Sequence, residues 1–242
     1  MDGTVRPCRR GAHRNHRRVT DRDDGPKVEE QIALDAVTRL EERLGVPVAP
    51  TQHEVAIGLL VSGHRFDLVM GVAGSGKTTT LAAVREGFES AGYTVLGTAA
   101  SGQAARNLGE GAGIESRTVA SLAWRLAHNT LELSDRHVLI LDEGAMTSDV
   151  DLARLLTAVE RSGAKLIIVG GDRQLGAIGP GGALTALAER HPEQLWALTD
   201  NLRQNDPPDA SRFLSSETAT SPPPSAGMPA TGASILCPTG GE

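Results

Sequence analysis

Residues Gly71-Val72-Ala73-Gly74-Ser75-Gly76-Lys77-Thr78 satisfy the pattern G-x-x-x-x-G-K-[ST] in full. The context is the one this pattern requires. The apolar stretch Phe66–Met70 predicts a buried strand, and Thr79–Ser90 predicts a helix with Leu81, Val84 and Phe88 at helical spacing. Glycines at 71, 74 and 76 let the backbone turn its N–H groups around a polyphosphate at the positive end of the following helix. Lys77 is expected to reach the β- and γ-phosphates, and the Thr78 hydroxyl to take one position on Mg²⁺. These residues point to a nucleoside triphosphate as ligand.

The rest of the sequence arranges itself around that loop. Residues 6–22 hold seven arginines within a chain whose net charge is −6. With no periodicity and few apolar residues, 1–26 is expected to be a disordered tail. Val28–Leu44 predicts an amphipathic helix with Val28, Ile32, Ala36, Leu40 and Leu44 on one face, stopped by Gly45 and Pro47. Thr51-Gln52-His53-Glu54 predicts a capping box that opens a second helix ending near Val61. Strands are then expected at 66–70, 93–97, 137–141, 165–169 and 194–198. Helices are expected at 77–90, 101–109, 118–129, 149–162 and 182–190. Continuous apolar runs such as Val138–Leu141 and Leu166–Val169 indicate strands covered on both faces, hence a mostly parallel α/β sheet. Residues 27–205 are thus expected to form one domain, with 206–242, rich in Pro, Ser and Thr, as a second disordered tail. The two cysteines, Cys8 and Cys237, make neither a disulfide framework nor a zinc site, which fits a cytoplasmic protein. No apolar run approaches the ~18 residues of a membrane span.

Three later segments qualify the loop. Asp142-Glu143 follows a buried strand some 65 residues after Lys77. Asp142 is expected on the Mg²⁺ shell and Glu143 beside the attacking water, as base or water-positioner. Gln174, just past another strand in Gly170–Leu175, can hydrogen-bond the γ-phosphate or the water. Arg203, in Asn201-Leu202-Arg203-Gln204, can stabilise charge developing on the γ-phosphoryl group. Water activation by adjacent acids suits hydrolysis better than transfer to an acceptor hydroxyl, which ranks a kinase lower. Trp124 and Trp196 sit among Leu and Ala and are expected in the core. Aromatic residues form only 2% of the chain, which argues against base-stacking platforms.

These segments, in this order, resemble the first RecA-like motor domain of superfamily 1 helicases, over residues ~50–205. Within that group they resemble the RecD-like half of TraA/TrwC-type conjugative relaxases. The resemblance is carried by Pro50-Thr51-Gln52, Gly71–Thr80, Gly97–Ala105, Asp142–Met146, Gly170–Leu175 with Gly181–Leu184, and Asn201–Gln204. It implies a P-loop ATPase fold, with ATP and Mg²⁺ as ligands and Gln52 reading the adenine. The nucleotide-contacting set it implies is Gln52, Gly71, Ala73, Gly74, Ser75, Gly76, Lys77, Thr78 and Thr79. Lys77, Glu143, Gln174 and Arg203 carry the chemistry, and Thr78 and Asp142 the metal. It also implies weak contact with single-stranded DNA through residues 98–105. Three departures stand out: Ala100 replaces a proline, Gly144-Ala145 reverses the usual order, and Gly171-Asp172 is shifted within its motif. No second RecA-like domain and no nickase domain are legible. The expectation is therefore one truncated motor lobe, with a second lobe or relaxase domain on another chain, and an inert nucleotide-binding remnant as the alternative.

Overall fold

Every second residue along the central strands enters a different core. Val69, Val138, Ile140, Ile167 and Val169 meet one layer of helices, whereas Leu68, Leu139, Leu141, Leu166 and Ile168 meet another. That alternation describes a sheet with helices on both faces, which is why its strands are apolar throughout. The computed structural model describes residues 24–171 and 182–199. The chain divides into residues 1–205 and 206–242, and the described residues all belong to the first unit. Both expected tails, apart from Asp24–Pro26, lie outside the described residues.

In chain order the elements are α1 (Glu30–Leu44), α2 (Pro50–Val61), β1 (Phe66–Gly71), α3 (Lys77–Ser90), β2 (Thr94–Ala99), α4 (Gly102–Ala112) and β3 (Glu115–Thr118). There follow α5 (Val119–Ala127), β4 (His137–Asp142), α6 (Asp149–Ser162), β5 (Lys165–Gly170), α7 (Ala183–Arg190) and β6 (Leu195–Leu198). The six strands form one sheet in the order β3-β2-β4-β5-β1-β6, and every pairing is parallel. Residues of α1–α4 pack on one face and residues of α5–α7 on the other. Among the described residues, no helix is long and apolar enough to cross a membrane.

Local chemistry sets the helix ends. Ser148 accepts a hydrogen bond from Asp151 N–H at the start of α6, and Gly163, at φ 80°, ends it. Gly45 closes α1 in the same left-handed way, at φ 70°. Three sequence expectations need correction. Helix α2 starts at Pro50 rather than Thr51: a proline suits the first helical turn, and the Gln52 amide oxygen accepts from Ala49 N–H at 2.9 Å. Of the expected α1 face, Val28, Ala36 and Leu40 are buried and Ile32 packs against the core, with Ala33 and Val37 added beside them; only Leu44, at the helix end, is 46% exposed. Trp124 is 57% exposed rather than in the core; its ring stacks on His128, centroids 4.3 Å apart, beside a groove of about 460 Å³ between α5 and α6. Trp196 is partly buried against the first core. Strand β3 was not foreseen, since Glu-Ser-Arg-Thr carries no apolar signal. It is an edge strand paired only with β2, and edges tolerate polar, charged residues.

One interaction inside the sheet is ionic. Asp67 on β1 and Lys165 on β5 are both fully buried, with Lys165 Nζ 2.6 Å from Asp67 Oδ2. The ammonium also donates to Ser62 Oγ and the His64 carbonyl, at 2.9 and 3.0 Å. Asp67 accepts further bonds from Ser62 Oγ, from Trp196 Nε1 and at His64 Nδ1. Burial pushes the Asp67 carboxyl up, but the His64 hydrogen bond and the Lys165 charge outweigh it and hold the group below its ordinary value. Burial lowers the Lys165 ammonium from its own ordinary value.

Removing one partner leaves the other as an unpaired buried charge. Asp67→Ala is therefore expected to cost about 3–5 kcal/mol in urea unfolding at neutral pH. Because the folded Asp67 titrates below the unfolded carboxylate, its contribution is present above about pH 4 and is lost as pH falls through the folded value. Wild-type stability should accordingly drop in that acid window, and a pH series of urea melts should show a smaller acid step in Asp67→Ala.

Candidate functional site

Because all six strands run the same way, their carboxyl ends lie along one rim. Neighbouring strands β2, β4, β5 and β1 deliver, side by side, the segment after Ala99, Asp142-Glu143, Gly170-Gly171 and the loop after Gly71. Parallel sheets bind ligands on this rim, where helices also begin.

The loop between β1 and α3 is held by its own backbone and by α2. Gly74 and Gly76 have φ of 84° and 75°, which side-chain-bearing residues rarely adopt. Ser75 N–H donates to the Val72 carbonyl at 3.2 Å. Lys77 Nζ donates to the carbonyls of Gly71 and Val72, at 2.8 and 2.9 Å, and so lies across the loop. Ala73 and Thr78 are exposed, whereas Ser75 is buried. Thr79, the third residue of α3, is half-buried.

Gln52 is 2% exposed and bonded at both ends of its amide. Its oxygen accepts from Ala49 N–H, and its Nε2 donates to the carbonyls of Ser75 and Gly76, at 3.2 and 3.3 Å. In this structure the residue braces the loop from α2. Reading a base would require its NH₂ group to leave those carbonyls.

At the end of β4, Asp142 is partly buried. Burial raises its carboxyl above the ordinary value, against a hydrogen bond from Glu143 N–H at 2.9 Å and the charge of Lys77. Such a carboxylate, incompletely compensated and on the same rim as the exposed Thr78, is chemically suited to a divalent cation. Glu143 is left-handed, with φ 52° and ψ 41°, one of two non-glycine residues with positive φ among those described. That conformation costs on the order of 1 kcal/mol and turns the chain sharply off the strand. Gly144 follows, and a β-carbon there would lie 2.5 Å from Ile168 Cγ2. The Gly144-Ala145 order thus fits a turn pressed against β5.

The sequence-predicted site residues divide accordingly. Gln52, the loop from Gly71 to Thr79, Asp142 and Glu143 are described and share the rim region or brace it. Gln174 and Arg203 lie outside the described residues. In the proposed DNA segment, Thr98, Ala99, Ala104 and Ala105 are buried, which leaves Ala100–Gln103 to face outward. Ser101 caps α4, accepting from Ala104 N–H at 3.1 Å. Gly111, whose contact with Thr78 is described below, was missed; a glycine inside a helix gives no warning of which side chain fills its space.

Residues 47–222 match the family described as AAA domain; the match runs on past Asn205. The chain is 40% identical to conjugal transfer protein TraA of Rhizobium radiobacter over 160 residues, 65% of this chain and 14% of that protein. It is 39% identical over 136 residues to the ATP-dependent RecD2 DNA helicase of Deinococcus radiodurans, covering 54% of this chain and 19% of the other. Among solved structures, the Pif1 helicase from Candida albicans aligns with a TM-score of 0.47 at 22% identity, covering 69% of this chain and 42% of that one. The chain therefore spans about a seventh of the length of the TraA relative and a fifth of RecD2.

A carboxylate held above its ordinary value destabilises the folded state once it is ionised. Asp142→Asn is expected to raise the melting temperature of the ligand-free protein at pH 7, by roughly 1–4 °C. Scanning calorimetry of the two proteins checks this, and a lower melting temperature would show that the carboxylate is already compensated.

Proposed function

The chain belongs to the AAA domain family, and on that footing we propose that it is a helicase-type motor lobe that binds ATP and hydrolyses it slowly in response to single-stranded DNA. The observation that carries this reading is the shared rim: a phosphate loop with Lys77 across it, and the Asp142-Glu143 pair two strands away. The 39% identity with an ATP-dependent RecD2 DNA helicase supports the assignment to DNA.

The loop amides and Lys77 bind and orient the triphosphate, Lys77 exchanging the Gly71 and Val72 carbonyls for phosphate oxygens. Thr78 and Asp142 are the residues that would hold Mg²⁺, which when bound neutralises charge on the β- and γ-phosphate oxygens. Glu143 orients the attacking water and takes its proton as the bond from the γ-phosphorus to the β–γ bridging oxygen breaks. Gln174 and Arg203 are assigned the γ-phosphate sensor and the charge-stabilising arginine. For DNA, the outward-facing residues 100–103 and the N–H groups opening α4 offer a site for backbone phosphate. With few aromatics, that affinity rests on phosphate contacts and falls steeply with salt. A second lobe or a relaxase domain, on this or another polypeptide, is the partner such a motor requires in order to step.

Phosphate release should rise when single-stranded DNA is added and should vanish in Lys77→Ala. Glu143→Gln should retain nucleotide binding while losing turnover by about 10²-fold or more. Equal turnover in wild type and Glu143→Gln would instead identify an inert nucleotide-binding module. For Gln52 the brace geometry sets a separate expectation. Gln52→Ala should weaken ATP and GTP by the same factor, roughly 5- to 50-fold. A loss confined to ATP would assign the residue to the adenine.

A further inference from the structure

Helix α4 presents glycine where it meets the start of α3. A β-carbon built on Gly111 would lie 2.5 Å from Thr78 Cγ2, 3.8 Å from its Cβ and 4.0 Å from its Oγ1. The Thr78 methyl therefore occupies the space a side chain at 111 would need, and the hydroxyl points elsewhere. Glycine is a poor helix residue, and Gly111 stands in the last turn of α4, so propensity alone favours alanine at an exposed position like this one. Contact with Thr78 is the feature that alanine would disturb.

The consequence follows from the geometry of a branched side chain. Thr78 has three staggered χ1 positions, holding the methyl, the hydroxyl and the β-hydrogen in a fixed cyclic order. Relief of a clash at the methyl position requires either the hydrogen or the hydroxyl to take its place. Both rotations move Oγ1 from its present position, by roughly 2 Å for one 120° step.

We propose that Gly111 is a positioning residue: by leaving room for the Thr78 methyl, it permits the rotamer in which the Thr78 hydroxyl can serve the nucleotide-bound metal. This rests on the assignment of Thr78 to Mg²⁺ made above. Gly111 itself touches neither metal nor nucleotide. Substitution should weaken only the part of nucleotide affinity that depends on Mg²⁺, because Lys77 and the loop amides bind phosphate without it.

The test uses calorimetric titration of a non-hydrolysable ATP analogue, in Mg²⁺ and in EDTA, into wild type, Gly111→Ala, Thr78→Ser and the double variant. Serine keeps the hydroxyl and removes the methyl. Gly111→Ala should lose at least roughly tenfold in affinity with Mg²⁺ and change less than about twofold in EDTA. In the Thr78→Ser background the same substitution should change neither value by more than about twofold, a coupling that a double-mutant cycle reads directly. Equal losses with and without Mg²⁺, an equal loss in both backgrounds, or no loss would overturn the inference. A wild type whose affinity does not rise with Mg²⁺ would sink the site assignment and this inference with it. Mg²⁺ dependence in wild type that survives Gly111→Ala sinks the inference alone. Melting curves cover the case of misfolding: a Gly111→Ala chain that unfolds only when threonine occupies 78 supports the contact, and one that unfolds in both backgrounds overturns it.

Discussion

Parallel pairing of β2, β4, β5 and β1 is the constraint from which the rest of this structure follows. In a parallel sheet each strand ends on the same rim, so residues far apart in sequence meet there without any long-range contact chosen for the purpose. The register places Ala99 opposite Asp142 and Met70 opposite Gly170. Covering both faces with helices is the condition for such a sheet, and it explains why Leu139, Ile140, Leu141, Leu166 and Ile167 have essentially no exposure. The buried ion pair, Asp67 against Lys165, joins two adjacent strands at the end away from the rim. A buried ion pair is weak evidence for added stability, yet a slipped β1–β5 register would leave both charges unpaired, which penalises wrong pairings strongly.

The sequence conveyed most of this because its signals are local. The glycine pattern needs only eight residues, and the helix limits at Ser148 and Gly163 are capping chemistry written at the ends themselves. Largely apolar segments announced five of the six strands, all but β3. What escaped was nonlocal. Strand β3 has no apolar residue because it lies at an edge, and Trp124 looks like core in a run of Leu and Ala although it faces out beside His128. Asp67 sat inside an apolar strand pattern with no hint that its partner lay 98 positions away. Periodicity reports which face a residue occupies only when the helix limits are right. For α1 the 4-residue spacing found Val28, Ala36 and Leu40 but passed over Ala33 and Val37, which widen the same face.

Gln52 shows how one side chain can carry a meaning in sequence and another in structure. The resemblance to helicases implies a base-reading glutamine. The geometry instead places it at the third residue of α2, where its oxygen satisfies the otherwise orphaned Ala49 N–H and its NH₂ reaches the loop. A glutamine there ties the start of one helix to the carbonyls just before the start of another. Those carbonyls belong to the peptide units of Ser75 and Gly76, whose neighbouring N–H groups face the phosphate site in the proposed function. Fixing one side of a peptide plane fixes the other, because the plane is rigid. Under the proposed function, the brace would therefore act on phosphate orientation independently of the base.

Helix α4 draws the remaining parts of the site into one element. The outward-facing segment after Ala99 runs into its first turn, capped by Ser101, and its last turn holds Gly111 against the Thr78 methyl. Strand β2, which leads into it, pairs with β4 so that Ala99 lies beside Asp142. A single rigid helix thus connects the segment proposed to meet DNA phosphate with the hydroxyl proposed to meet the metal, while the strand before it borders the metal carboxylate. Transmission through such an element needs two arrangements of α4 that the two ligands weight differently. The packing at Gly111 would supply such a difference: an α4 displaced toward α3 would close the space around the Thr78 methyl and force its hydroxyl to turn, whereas an α4 displaced away would leave it free.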